Sequence, residues 1–322
     1  MAARPIRYTG AITTADPNGI VESTNTLANE VLAIDGALAT SLGLVADPNG
    51  VLTADTYTAG TLDLVTNVGA VGRSFSVATR VSITSGSNES TKTFTVTGLD
   101  KTGKKLQTEK ITGPNATIVH STLTFRSIEK IALDITSTGA DVTVGITGAV
   151  VLPIPQYLAT NCTTSTSDSL VITGTDRNDD ILTETIACTD VTAVEGVKLF
   201  KSIDKVVADG VMVAVVFGLN GFFATQWFGL DLHANNFNVS VAFDDATTGT
   251  FSVVGTNDDI NASTFDENTA TTHVTLESGG DLTGLTADDL GQITVPVRAI
   301  RLQNTGEVAA TGTVGLDIIQ AA

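Results

Sequence analysis

Apolar side chains recur at every second position along most of this chain. Val77, Thr79, Val81 and Ile83 alternate with other residues, and Leu62, Leu64, Thr66 and Val68 do the same. A period of two places such residues on one face of a half-buried strand. The alternation continues through segments predicted as strands near 93–98, 105–112, 128–136 and 141–148, then near 169–174, 180–187, 202–208 and 211–218. Further strands are expected at 236–243, 249–255, 272–277, 293–302 and 312–319, with one helical turn at 286–290. Turn residues separate these short runs every eight to twelve positions, the rhythm of an all-β sandwich or barrel. The run Val211–Phe217 is the longest apolar one, β-branched and too short for a membrane helix, so it reads as a buried strand.

Two of these stretches are copies of one unit. Phe94, Thr97, Gly98 and Asp100 correspond to Leu170, Thr173, Gly174 and Asp176. Glu109 precedes Phe125 by sixteen residues, and Glu184 precedes Phe200 by sixteen. At each Phe the same phrase begins, Phe125-Arg-Ser-Ile-Glu-Lys-Ile131 against Phe200-Lys-Ser-Ile-Asp-Lys-Val206. Length differences fall only in turns, as expected of a folded unit used twice. The predicted organisation is therefore an N-terminal arm (1–53), a first β module (54–152), its repeat (153–221) beginning near Pro153 and Pro155, and a C-terminal β domain (222–322) that is a candidate distant third relative. Within the first piece, Ala15-Asp-Pro-Asn-Gly-Ile20 recurs as Ala46-Asp-Pro-Asn-Gly-Val51, which reads as a turn phrase. Leu27, Val31, Ile34 and Leu38 have helical spacing, but Asp35-Gly36 is a hairpin signal, and strands are preferred there. Such a piece would pack as an arm on a neighbouring subunit.

Composition narrows the function. The 322 residues carry 35 Asp and Glu against 17 Lys and Arg, a net charge of −18. Between Lys205 and Arg298 there is no Lys or Arg, while twelve acidic residues run from Asp209 to Asp289. Such a surface repels a phosphate backbone, so no nucleic-acid partner is expected. No apolar segment suits a membrane span or a signal peptide, and no membrane partner is expected. Without an export signal, Cys162 and Cys188 are expected as free thiols, with pairing across neighbouring strands as the alternative.

Catalytic constellations do not emerge. His120, His233 and His273 are scattered, and there is no nucleophile elbow or phosphate-binding glycine loop. Asp100 and Asp176 occupy duplicated turns, where an Asp bonds its own backbone. Asp176–Asp180, Asp244-Asp245 and Asn257-Asp258-Asp259 offer oxygen ligands that calcium would accept. They lack the spacing of a calcium loop, and solvated acidic loops are the preferred reading. No catalytic, cofactor or metal residue is assigned, and no enzyme activity is expected. The aromatic residues from Phe217 to Phe265 are read mainly as core. Gln226, Trp227 and Phe228, between two expected strands, are instead candidates for interface burial.

Val81-Ser-Ile-Thr-Ser-Gly-Ser-Asn88, Phe94-Thr-Val-Thr-Gly98, Glu109, Gly113-Pro-Asn-Ala116 and Phe125 together resemble a family of tailed-bacteriophage virion proteins. Leu32–Leu38 resembles the first strand of that family. Asn235–Val241, Val295–Leu302 and Ile318-Ile-Gln320 are similar to phrases of small phage structural proteins. The resemblance implies a capsid decoration or cement protein on the outer head surface, with the major capsid protein and further copies of itself, as a homotrimer, for partners. Gly113, Pro114 and Asn115, in a turn of the first module, would then lie at an interface. The second copy lacks Gly-Pro-Asn-Ala after Ile186, so a contact made by that turn would be missing there. A tail component and a host receptor- or glycan-binding module are the alternative readings.

Overall fold

Alternation along the chain becomes alternation across sheets. The structure, a computed structural model, describes the chain except for residues 1–4, 13–15, 63–73, 140, 164–167, 190–191, 232–235, 245–246, 248, 263–264, 266–272, 276–281, 294–296, 305–311 and 322. It is all-β, with antiparallel sheets and, among the described residues, one short helix, Ala37–Leu42. Strands Thr93–Leu99 and Ser169–Thr175 bury every second side chain, in the same phase. The expected strand through Leu64, Thr66 and Val68 lies outside the described residues.

The two copies have one topology. In the first, the sheet order is Asp47–Asp55, Val142–Ile146, Ser74–Thr84, Ile118–Leu133, Thr93–Leu99, Leu106–Thr112, with Gly60–Leu62 added beside Ile118–Leu133. In the second it is Asp16–Thr24, Val215–Phe223, Ala149–Asn161, Phe200–Ala208, Ser169–Thr175, Ile181–Ala187. Each order starts with a strand led by Asp-Pro-Asn-Gly. Asp16, Val21 and Thr24 pair with Leu219, Phe217 and Val215; Asp47, Leu52 and Asp55 pair with Ile146, Val144 and Val142. The recurring phrase is therefore the first strand of each repeat. A third N-terminal strand, Ile6–Ile12, pairs along its whole length with Gly312–Ala321, the last strand of the C-terminal unit.

Residues 1–53, expected as an arm, are thus distributed over the chain's own sheets. Unit 1 is continuous from Asp47 to Ile146. Unit 2 joins 16–44 to 149–223 around it, and the C-terminal unit joins Ile6–Ile12 to 228–321 around both. Each unit has its own core: Phe94, Phe125 and Ile128 in the first, Leu170, Phe200 and Phe217 in the second, Phe251, Leu302 and Leu316 in the third. The C-terminal unit has two four-stranded sheets, and its order Ile6–Ile12, Gly312–Ala321, Asn236–Phe243 matches the first three places of the copies.

Four local expectations change. Residues 286–290 form no helical turn; Asp289–Ile293 is a strand paired with Asn236–Phe243, where ladder bonds prevail over a local turn. The strand predicted from Val211 starts at Val215, and Val211 and Val213, just before it, are exposed. Pro153 and Pro155 sit inside strand Ala149–Asn161, where the ladder to Phe200–Ala208 breaks between Val151 and Gln156, because proline cannot donate to it. The segment around Asp35-Gly36 makes the six-residue helix and two short strands, not a hairpin.

Candidate functional site

The repeated phrase has a structural explanation residue by residue. In each copy, the strand carrying it makes a β-bulge beside a glycine of the neighbouring strand. Glu129 is the extra residue in the first copy and Asp204 in the second. A Cβ on Gly98 would lie 2.0 Å from the Ser127 carbonyl oxygen, and one on Gly174 would lie 1.8 Å from that of Ser202, so only glycine fits opposite the bulge. Each of the paired carboxylates accepts two successive backbone N–H groups at equivalent positions, in the first copy at a register irregularity of strand Ile118–Leu133. Glu109 accepts the N–H groups of Thr122 and Leu123, and Glu184 those of Val197 and Lys198. Asp100 accepts the N–H groups of Thr102, Lys104 and Lys105, and Asp176 those of Asn178 and Asp180. These are the self-bonding turns expected from the sequence. The bonds hold the Asp100 carboxyl below its usual range, led by the Thr102 hydroxyl.

Gly113 and Pro114 are buried in unit 1; Asn115 is exposed. The turn closes on the neighbouring loop: Glu89 N–H donates to the Pro114 carbonyl, Ala116 N–H to Ser87, and a Cβ on Gly113 would meet the Glu89 carbonyl oxygen. Beneath it lies a fully buried ion pair, Glu89 with Lys92, whose carboxylate also accepts Thr138 and Gly139 N–H. Burial pushes the Glu89 carboxyl up, but Lys92 and the two backbone donors prevail and leave it below the ordinary value.

Trp227 is buried in a satellite core with Val254 and Ala299, its ring 4.6 Å from the Arg301 guanidinium carbon, and Phe228 is buried against Tyr8. Of those three candidates only Gln226 is exposed. Cys162 and Cys188, expected as free thiols, form a disulfide between Cα atoms 5.9 Å apart, within the ordinary span. They follow the ends of strands Ala149–Asn161 and Ile181–Ala187, which stand three places apart in the sheet order, a juxtaposition that an export-signal argument cannot see. Among the described residues no group of three or more His, Cys, Asp or Glu side chains is placed to hold a metal ion.

The most concentrated chemistry lies where the two copies meet. Asp204, turned outward by its bulge, accepts Nε and Nη2 of Arg80 from the first copy at 3.2 and 3.1 Å. Arg80 also donates to the Ser121 and Thr122 carbonyls. Burial pushes the Asp204 carboxyl up, and Arg80 offsets this only in part. Burial, then Lys205 and Arg80, push the neighbouring His120 imidazole down to about 4, which leaves it neutral at physiological pH. Burial and Arg80 likewise lower Lys205. Beside this network a cleft of about 380 Å³ opens between the copies, with Arg126 on one wall and Lys201 on the other. Lys101 reaches across its mouth and donates to the Asp179 carbonyl at 2.7 Å. From the sequence, His120 reads only as a scattered histidine and Asp179 only as part of an acidic loop; Arg80, Lys101, Asp204 and Lys205 carry no signal, although the repeated phrase sets Arg126 and Lys201 at the same position of each copy.

No protein-family model matches the chain, and no curated protein matches it. A solved structure described as "The Triple Jelly Roll Fold and Turret Assembly in an Archaeal Virus" aligns over 84% of this chain and 89% of that one, at 13% identity and a TM-score of 0.14. A score that low carries no argument.

Proposed function

We propose that this chain is a structural component of a tailed-phage virion, a decoration or cement protein on the outer head surface. The observation that carries the reading is the use made of the virion-like phrase. Gly98, Glu109, Gly113, Pro114 and Phe125 close a bulge, hold a strand irregularity, seat a loop and fill a core. Residues so used specify a rigid β scaffold, the requirement of a protein that acts by covering seams.

Such a protein stabilises an expanded shell by binding it better than the unexpanded or broken one. Many symmetric copies add avidity to modest single contacts. The base-free stretch from 206 to 297 supports an outward position, since its twelve carboxylates would be repelled by packaged DNA. The partners are then the major capsid protein and further copies of this chain, most simply as trimers on threefold sites. The protein would be made in the host cytoplasm and assembled onto the head there.

Electron microscopy of virions with and without the protein, together with their survival on heating, tests this. The expected result is density lost from the head surface and lower heat resistance. An unchanged head, or label found only on isolated tails, overturns the reading in favour of a tail component.

A further inference from the structure

The cleft between the copies gathers five of the chain's 17 Lys and Arg residues. Arg80, Lys101, Arg126, Lys201 and Lys205 line or adjoin it, against the carboxylates of Asp179 and Asp204. Asp204 is already engaged by Arg80. In a chain of net charge −18 this is a local excess of positive charge. Burial first, and then Lys205 and Arg80, keep the adjoining His120 imidazole neutral, so it adds no charge of its own there. Arg126 and Lys201 are both half-buried, and neither makes a hydrogen bond or ion pair among the described residues. Two half-buried cations that form no ion pair, lining one cavity, leave room for the partner that burial of charge calls for.

Shape and origin agree. Each copy contributes the same three elements to the walls: its strand Ser74–Thr84 or Ala149–Asn161, its Asp-capped turn, and the strand of the repeated phrase. One cation therefore comes from each copy, Arg126 beside Thr124 and Lys201 beside Ser202. Donors converging from several directions suit a tetrahedral, multiply charged oxyanion better than a single planar carboxylate. The volume is within the range of small-ligand sites.

We infer that the cleft between the two copies is a binding site for a small multivalent oxyanion of the phosphate class, held by Arg126 and Lys201 with Lys101 at its mouth. It does not depend on a place in a virion.

Isothermal titration of the full chain with inorganic pyrophosphate at low salt tests it. The expected result is one saturable site per chain, weaker by about tenfold for each cation removed in Arg126→Gln and Lys201→Gln, about 1.4 kcal/mol apiece. Lys130→Gln, which removes an exposed cation elsewhere on unit 1, should leave affinity unchanged. The charge-keeping variants Arg126→Lys and Lys201→Arg should bind better than the Gln variants, which separates a lost contact from a damaged fold. The inference is overturned by the absence of saturable binding, by equal loss in Lys130→Gln, or by an affinity that ignores both Gln substitutions. Tighter binding of citrate than of pyrophosphate overturns the assignment to phosphates.

Discussion

Tyr8→Ala tests the pairing of the first strand with the last. Tyr8 lies on strand Ile6–Ile12, opposite Leu316, with its ring 5.6 Å from that of Phe228 and half-buried against the core of the C-terminal unit. Burial pushes its hydroxyl up to about 12, so the side chain is substantially withdrawn from water. Truncating a fully buried aromatic costs about 3–5 kcal/mol. For a half-buried one we expect about 2 kcal/mol, felt by the C-terminal unit. The assay is built in, because Trp227 is the only tryptophan and lies in that unit. At a urea dependence of about 2 kcal/mol per molar, the Trp fluorescence midpoint should fall by about 1 M. Hydrogen exchange in strand Ile118–Leu133 of unit 1 should stay as it was, since unit 1 is closed by its own strand Asp47–Asp55. A midpoint that moves by less than about a quarter of that, or an equal loosening of unit 1, would refute the assignment of Ile6–Ile12 to the C-terminal unit.

Three other outcomes follow from the same geometry. Gly174→Ala forces a Cβ into the Ser202 carbonyl and should cost about 1–3 kcal/mol, read as faster exchange in Phe200–Ala208; Ser202→Ala, which leaves that carbonyl in place, should not relieve it. His120 has a folded pKa below its unfolded value, so the unfolded chain binds the proton first, and stability should fall as pH drops from about 6.5 to about 4. His120→Gln should flatten that part of a pH–stability curve, and an unchanged slope would count against it. The disulfide closes a loop of 26 residues, worth about 3.5 kcal/mol by chain entropy. Digestion without reductant should release the Cys162 and Cys188 peptides joined, and reduction should lower the stability of unit 2.

Much of this fold was legible because its period was two and its repeat kept its spacing. Glu109 and Glu184 stand sixteen residues before Phe125 and Phe200, and they accept backbone N–H groups at equivalent positions. The Asp-Pro-Asn-Gly recurrence was visible too. It read as a turn because proline and glycine dominate it, whereas its hydrogen-bonding partners lie about 100 and 200 residues away, beyond any local pattern. The same distance hid the site. Arg80 and Asp204 are 124 residues apart, and only the packing of one copy on the other makes them a pair. Trp227, a candidate for interface burial from its place between two expected strands, is instead covered by Arg301 from another strand. Gly113 and Pro114 were flagged by phrase alone, and burial shows them holding their own loop.

The nested order of strands bears on how the molecule is made. A ribosome working at about 5–20 residues per second releases Ile6–Ile12 roughly 15–60 s before its partner Gly312–Ala321 exists. Asp16–Thr24 waits for Val215–Phe223, while Asp47–Asp55 needs only Val142–Ile146. Maturation must therefore run from the innermost unit outward, and translation that stops early leaves edge strands whose intended mates were never synthesised. Those orphaned edges are templates for pairing with other chains, so the yield of intact protein should depend more on finishing each chain than on starting many.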